Sequence, residues 1–298
     1  MRIVIGYDGS MCSDIAIKDL RMAGLPETAE VVVLSVTEVG LAPTRSYGGI
    51  NVQFSSDWSR KLEIADSLAE NACLRLQKWF PKWQLTTESR WGGAAEVILD
   101  KAKGWPADLI VVGTHGRSGL GRLVLGSVSA KLVNEAPCSV RVARLGMTEQ
   151  ERPPRILIGD DGSSEAEAMI TELAKRSWPA GTEARVVGAV EVFTPAGIGD
   201  EFVAATALAD AEVHEKKRLQ NAVERCRGTF AAAGLAVSTV VEEGDPAKVL
   251  IREAENWKAD AIFVGPRGAG RMERLLLGSV SKAVLAHAPC TVEVVRHR

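Results

Sequence analysis

Cysteine is scarce in this chain of 298 residues: five are present, Cys12, Cys73, Cys138, Cys226 and Cys290. An odd number without close pairs excludes a disulfide framework and a zinc knuckle. Neither sign of charge is in excess. Thirty-six Lys and Arg face 38 Asp and Glu, a formal charge of -2. That balance excludes a broad basic surface for nucleic acid or for an anionic membrane. No run of the sequence approaches the ~20 apolar residues of a membrane-spanning helix. The opening MRIVIGYDGS is too short in its apolar part for a signal peptide, and Asp8 follows at once. A composition of 46% apolar and 25% charged residues excludes extended disorder. The expectation is a cytoplasmic globular protein with free thiols that binds neither nucleic acid nor membrane.

Two common nucleotide signatures are missing as well. GxxxxGK[ST] does not occur, so the lysine that usually holds phosphate is absent. The turn after the first strand is Gly6-Tyr7-Asp8-Gly9-Ser10, not the GxGxxG of dinucleotide folds.

What the chain does have, it has twice. Residues 113–142, GTHGRSGLGRLVLGSVSAKLVNEAPCSVRV, align without a gap on 265–294, GPRGAGRMERLLLGSVSKAVLAHAPCTVEV. Ile5-Gly6-Tyr7-Asp8-Gly9-Ser10 returns as Ile158-Gly159-Asp160-Asp161-Gly162-Ser163, and Trp105-Pro106-Ala107-Asp108 as Trp257-Lys258-Ala259-Asp260. A repeat of this length is a duplicated domain, not a solenoid unit. The two domains are placed at 1–146 and 147–298, divided within the polar stretch RLGMTEQERPP, where Pro153-Pro154 stops helix and sheet.

Within each domain apolar strands alternate with helical patterns. In the first, strands are expected at 2–7, 31–36, 84–89, 108–112 and 138–143. Helices are expected at 12–22, 57–80, 94–103 and from 127. In the second, strands are expected near 155–159, 185–190, 236–241, 260–264 and 290–295, with helices near 164–176, 203–232, 247–255 and 279–287. VVVLSV at 31–36 is apolar without alternation, as a parallel strand covered on both faces is. Ile64, Leu68, Ala72, Leu76 and Trp79 are expected to form the buried stripe of the long helix. The fold class is α/β, two tandem doubly wound sheets of five mostly parallel strands, with function at the carboxyl ends of the strands.

The glycine loops carry the chemistry. Gly113, two residues, Gly116, nine residues and Gly126-Ser127 recur as Gly265, Gly268 and Gly278-Ser279. Each loop begins after a strong strand and ends where a helix begins. Glycines there allow backbone N–H groups to approach an anion, and the helix start adds orphan donors and a positive dipole end. Ser127 and Ser279 offer hydroxyl donors to phosphate. Ser129 and Ser281 are second donors or bond locally. The residues between differ, Arg117-Ser118-Gly119-Leu120-Gly121 against Ala269-Gly270-Arg271-Met272-Glu273, so the glycines are held within a diverged loop. Asp8 and Asp161, at first-strand ends on the same face, can accept from ribose hydroxyls or an adenine amine. The alternative for each is an Asx turn.

These features together resemble the universal stress protein family, in its tandem form, over residues 1–143 and 155–296. The resemblance implies a five-stranded fold of order 3-2-1-4-5, the adenine nucleotide alpha hydrolase-like fold. Its ATP-binding members share G-2x-G-9x-G-[S/T] and an aspartate after the first strand. It implies one ATP site at Asp8, Gly113, Gly116, Gly126 and Ser127, and another at Asp161, Gly265, Gly268, Gly278 and Ser279. Mg²⁺ would accompany the phosphates. The family's G-x-P turn is kept as Gly244-Asp245-Pro246 but reads Gly92-Gly93-Ala94 in the first domain. Thr114 is matched by Pro266 and His115 by Arg267, so the sites are unequal and the second loses a backbone donor. Binding and signalling are expected rather than turnover; the alternatives are a slow ATPase or another nucleotide-processing enzyme, or a structural or interaction module with only one functional nucleotide site. The resemblance further implies that the final strands of the two domains pair antiparallel within one chain, as an intrachain pseudo-dimer, and that such chains form a homodimer. The loops at 37–56 and 191–202 are expected to be lids, partner loops or plain connections.

Overall fold

The computed structural model describes residues 1–37, 55–115, 125–144, 152–191, 201–266 and 277–297, the side chains of 55–58 and 201–212 excepted. The expected lid loops fall almost wholly outside the described residues, as do Gly116, Gly268 and most of the connection between the domains. The chain divides into two compact units, Met1–Arg21 with Pro26–Ala143, and Met22–Leu25 with Arg144–Arg298.

In the first unit the strands are β1 (Arg2–Gly6), β2 (Glu30–Thr37), β3 (Gln84–Trp91), β4 (Leu109–Gly113) and β5 (Ser139–Ala143). The helices are α1 (Met11–Asp19), α2 (Ser55–Trp79), α3 (Ala94–Gly104) and α4 (Ser127–Glu135). The strands run β3-β2-β1-β4-β5 and every pairing is parallel. The register sets Ile3 beside Val31 and Leu109, so the central strand lies among branched residues. Ile3, Val4, Ile5, Val33, Leu109, Ile110 and Val111 are all fully buried. Burial on both faces is what an unalternating apolar run requires.

The second unit repeats the plan. Its strands are β6 (Arg155–Gly159), β7 (Glu183–Val190), β8 (Ala236–Glu243), β9 (Ala261–Val264) and β10 (Thr291–Val294). Its helices are α5 (Ser164–Ala174), α6 (Glu201–Ala232), α7 (Pro246–Trp257) and α8 (Ser279–His287). The order is β10-β9-β6-β7-β8, again parallel throughout. In both units the first strand is central, and the chain leaves it one way and later returns to its other side. That reversal opens a crevice at the carboxyl ends of β1 and β4, and of β6 and β9.

Helix α2 departs from expectation. Ala72 and Leu76 are buried as expected, but Ala65 and Ala69 complete the buried face, while Leu68 and Trp79 are half-buried and Ile64 is 48% exposed. Alanines let the helix lie close on the sheet. The tryptophans before β4 and β9 do pack as joints. Arg2 and Lys101 lie over the Trp105 ring, and Arg155 and Arg185 over that of Trp257. Cys138 and Cys290 are buried small apolar residues.

Candidate functional site

The site grows from two turns at the strand ends of each unit. After β1 the chain reverses through Gly9 at φ +76°, and after β6 through Gly162 at φ +71°, backbone that favours glycine. Asp8 Oδ1 accepts from the Ser10 N–H at 3.0 Å, and Asp161 Oδ1 accepts from the Ser163 N–H at 3.0 Å. Both are Asx turns, so the local role weighed for these carboxylates is real. Ser10 and Ser163 then cap α1 and α5, accepting from Ser13 N and Ala166 N at 3.2 Å.

The second turn follows β4 or β9. A Cβ on Gly113 would stand 2.6 Å from the backbone carbon and oxygen of Cys12. No other residue fits where α1 crosses the end of β4. The Gly126 N–H donates to Thr114 O at 2.8 Å, and a Cβ on Gly126 would meet that same oxygen at 2.6 Å. The second unit repeats this bond from Gly278 to Pro266 O at 2.7 Å. Ser129 Oγ donates to Gly113 O and Ser281 Oγ to Gly265 O, each at 2.7 Å. These two buried serines bond locally: they tie the start of the last helix to the end of the strand.

That tie presents the helix start. Gly126 and Gly278 are the N-caps of α4 and α8, at φ -64°, ψ 154° and φ -65°, ψ 158°, and neither provides a side-chain cap. The first intrahelical bonds run from Ala130 N to Gly126 O and from Lys282 N to Gly278 O. The N–H groups of Ser127, Val128 and Ser129, and of Ser279, Val280 and Ser281, therefore have no partner among the described residues. The neighbouring helices α1, α5 and α7 are capped by Ser10, Ser163 and Asp245. Ser127 and Ser279 are exposed at the first helical position, with hydroxyls free to donate. Three orphan amides, a hydroxyl and a positive dipole end suit an anion with several oxygens.

In the second unit these parts line a cavity of about 450 Å³, within the range of small-ligand sites. Gly159, Asp160 and Asp161 come from the first turn, and Gly265, Gly278 and Ser279 from the second. Val187, Val190, Pro246, Leu250 and Val264 give it apolar walls that suit a planar base. Asp160 is 5% exposed; its Oδ1 accepts from Gly162 N at 2.8 Å, and Cys226 donates to its Oδ2 at 3.1 Å. Burial, then the Asp160 charge, push the Cys226 thiol well up, so it remains protonated. Arg218 on α6 donates to Asp161 O at 3.0 Å and to Gly162 O at 3.3 Å. Sequence reasoning missed Asp160, Cys226 and Arg218. Only the Asp160-Asp161 doublet signalled the first of them.

The units differ at corresponding points. Where Asp160 stands, the first unit has Tyr7, whose hydroxyl donates to Asp14 at 2.6 Å while Arg75 holds the same carboxylate at 2.5 Å. Burial, then the bond to Asp14, raise the Tyr7 phenol to about 12. The Thr114 N–H donates to Ala143 O at 3.1 Å. The donor lost at Pro266 is therefore a sheet donor, not a ligand donor as the sequence suggested. Asp245 caps α7 through Lys248 N at 2.9 Å, whereas Gly93 leaves α3 without a side-chain cap.

Comparison with known proteins agrees with this architecture. The universal stress protein family model matches residues 1–144 and 154–296. A universal stress protein of Mycobacterium tuberculosis is 30% identical over 99% of this chain and 96% of its own. One from Thermus aquaticus is 32% identical over 47% of this chain and 97% of its own. The solved structure of a universal stress protein from Archaeoglobus fulgidus superposes with a TM-score of 0.62 at 19% identity, covering 99% of this chain and 96% of that one. No described helix is long and apolar enough to cross a membrane.

Proposed function

Since this chain belongs to the universal stress protein family, carrying two copies of its domain, we propose that each unit binds one adenine nucleotide, ATP foremost, in a stress-response or signalling role. The observation that carries this is the uncapped start of α4 and α8, set behind the same glycine spacing in both units. The phosphates lie on the orphan amides and on Ser127 or Ser279. Gly113 and Gly265 stand at the strand ends of the glycine loops, and Asp8 and Asp161 face the nucleoside. Mg²⁺ arrives with the phosphates. Among the described residues no group of three or more His, Cys, Asp or Glu could hold a metal. Calorimetry of ATP on nucleotide-stripped protein tests the reading: two sites per chain are expected, and no binding at millimolar ATP overturns it. The proposal extends to assembly, with the final strands of the two units paired within the chain and the chain a homodimer. Separately produced 1–146 and 147–298 that do not associate would overturn the first part. A monomer mass by light scattering would overturn the second.

A further inference from the structure

The turn glycines Gly9 and Gly162 are equivalent, but different side chains lie over them. A Cβ on Gly9 would meet Leu68 Cδ2 at 2.6 Å, and one on Gly162 would meet Arg218 Nη1 at 2.6 Å. Leu68 from α2 thus overlies the first turn, and Arg218 from α6 overlies the second, beside Ala222, whose Cβ lies 3.4 Å from the same point. Arg218 forms a two-pronged pair with Glu215, Nε to Oε2 at 2.8 Å and Nη2 to Oε1 at 2.5 Å. Its remaining bonds go to Asp161 O and Gly162 O. Of its five N–H donors four are used, and one on Nη1 has no partner among the described residues. Arg218 is also the single Lys or Arg among the described residues lining the cavity, beside the carboxylates of Asp160, Asp161, Glu191 and Glu215. Among the described lining residues, a polyphosphate entering such a wall is repelled by the carboxylates and attracted by the Arg218 guanidinium. Over Gly9 the three nearest atoms are all carbons of Leu68.

We infer that Arg218 is a specificity residue of the second site, a cation on α6 for the phosphate chain, so that this site separates ATP from adenosine. This rests on the nucleotide reading of the preceding section. Glu215 opposes it by holding two of the donors. The test uses the full-length chain with one site silenced by Ser127→Asp, and calorimetry with ATP and with adenosine. In that background Arg218→Leu, the residue type over Gly9, lowers ATP affinity about tenfold and leaves adenosine within about twofold. Tenfold is near the lower end of what a hydrogen bond between charged groups contributes. Arg218→Lys keeps most of the ATP affinity, and Glu215→Gln raises it. An equal fall for ATP and adenosine, or no fall for either, overturns the inference and leaves the nucleotide reading standing. A Ser127→Asp chain that binds no ATP at all overturns both. Circular dichroism and the melting temperature confirm the fold of each variant, and Glu215→Gln provides a reading of opposite sign should Arg218→Leu prove unstable.

Discussion

Replacing Ser127 and Ser279 by aspartate should abolish phosphate binding without harming the fold. Both serines are exposed at the first position of helices whose glycine N-caps provide no side-chain cap. A carboxylate there complements the helix dipole, an effect of about 0.3–1 kcal/mol in favour of folding. For a bound phosphate the same carboxylate is a like charge at close range. At ~4 Å the repulsion is about 1 kcal/mol in a fully aqueous setting and about 4 kcal/mol at an effective dielectric of 20. Loss of the hydroxyl bond to a charged oxygen adds about 1.5–3 kcal/mol. Even the smaller values together weaken ATP by more than about fiftyfold. The assay is calorimetry on nucleotide-stripped double variant, with the melting temperature read alongside. Unchanged or higher melting temperature with lost ATP binding is expected. Wild-type affinity in a normally folded double variant would refute the assignment of phosphate to these helix starts.

Other consequences are independent of ligand. Gly126→Val should destabilise the first unit even without nucleotide, because its Cβ meets Thr114 O; a normal melting temperature would contradict this, and the variant cannot by itself report on phosphate contact. Gly228→Ala, in a helix with nothing within 4 Å of the new Cβ, should stabilise by about 0.5–1 kcal/mol in urea unfolding. The fully buried Arg141–Asp19 pair, 2.5 Å apart, should make Asp19→Asn destabilising, by up to about 3–5 kcal/mol for breaking a buried ion pair, as chemical denaturation would read. Tyr7, titrated by tyrosinate absorbance in a Tyr47→Phe background, should ionise near 12. Because its folded value lies above the unfolded value of about 10, its contribution to stability is complete below that pH and is lost as pH rises toward 12.

The sequence announced the fold through period and repetition. Unalternating runs such as VVVLSV became central parallel strands, and GSVS marked the helix starts at Ser127 and Ser279 to the residue. The buried face of α2 was read only in part, Ala72 and Leu76 but not Ala65 and Ala69, because large apolar residues were weighed above alanine. Close helix-on-sheet packing reverses that weight. The candidate site was half legible. Glycine spacing and aspartates at strand ends are local patterns, and they pointed to the crevice. Arg218 and Glu215 line it from α6, and Cys226 bonds Asp160 beside it, all more than fifty residues after the first turn, where nothing local marks them. The double duty of Gly113 and Gly126 was also hidden, since their closest neighbours, Cys12 and Thr114, meet them only once the chain has folded.

Backbone amide NMR of the nucleotide-stripped chain, titrated with ATP, tests the central claim most directly. The account predicts the largest shifts at Ser127, Val128 and Ser129 and at Ser279, Val280 and Ser281, the amides that have no partner among the described residues. ATP binding that leaves these six amides unmoved, or no binding at millimolar ATP, would contradict it.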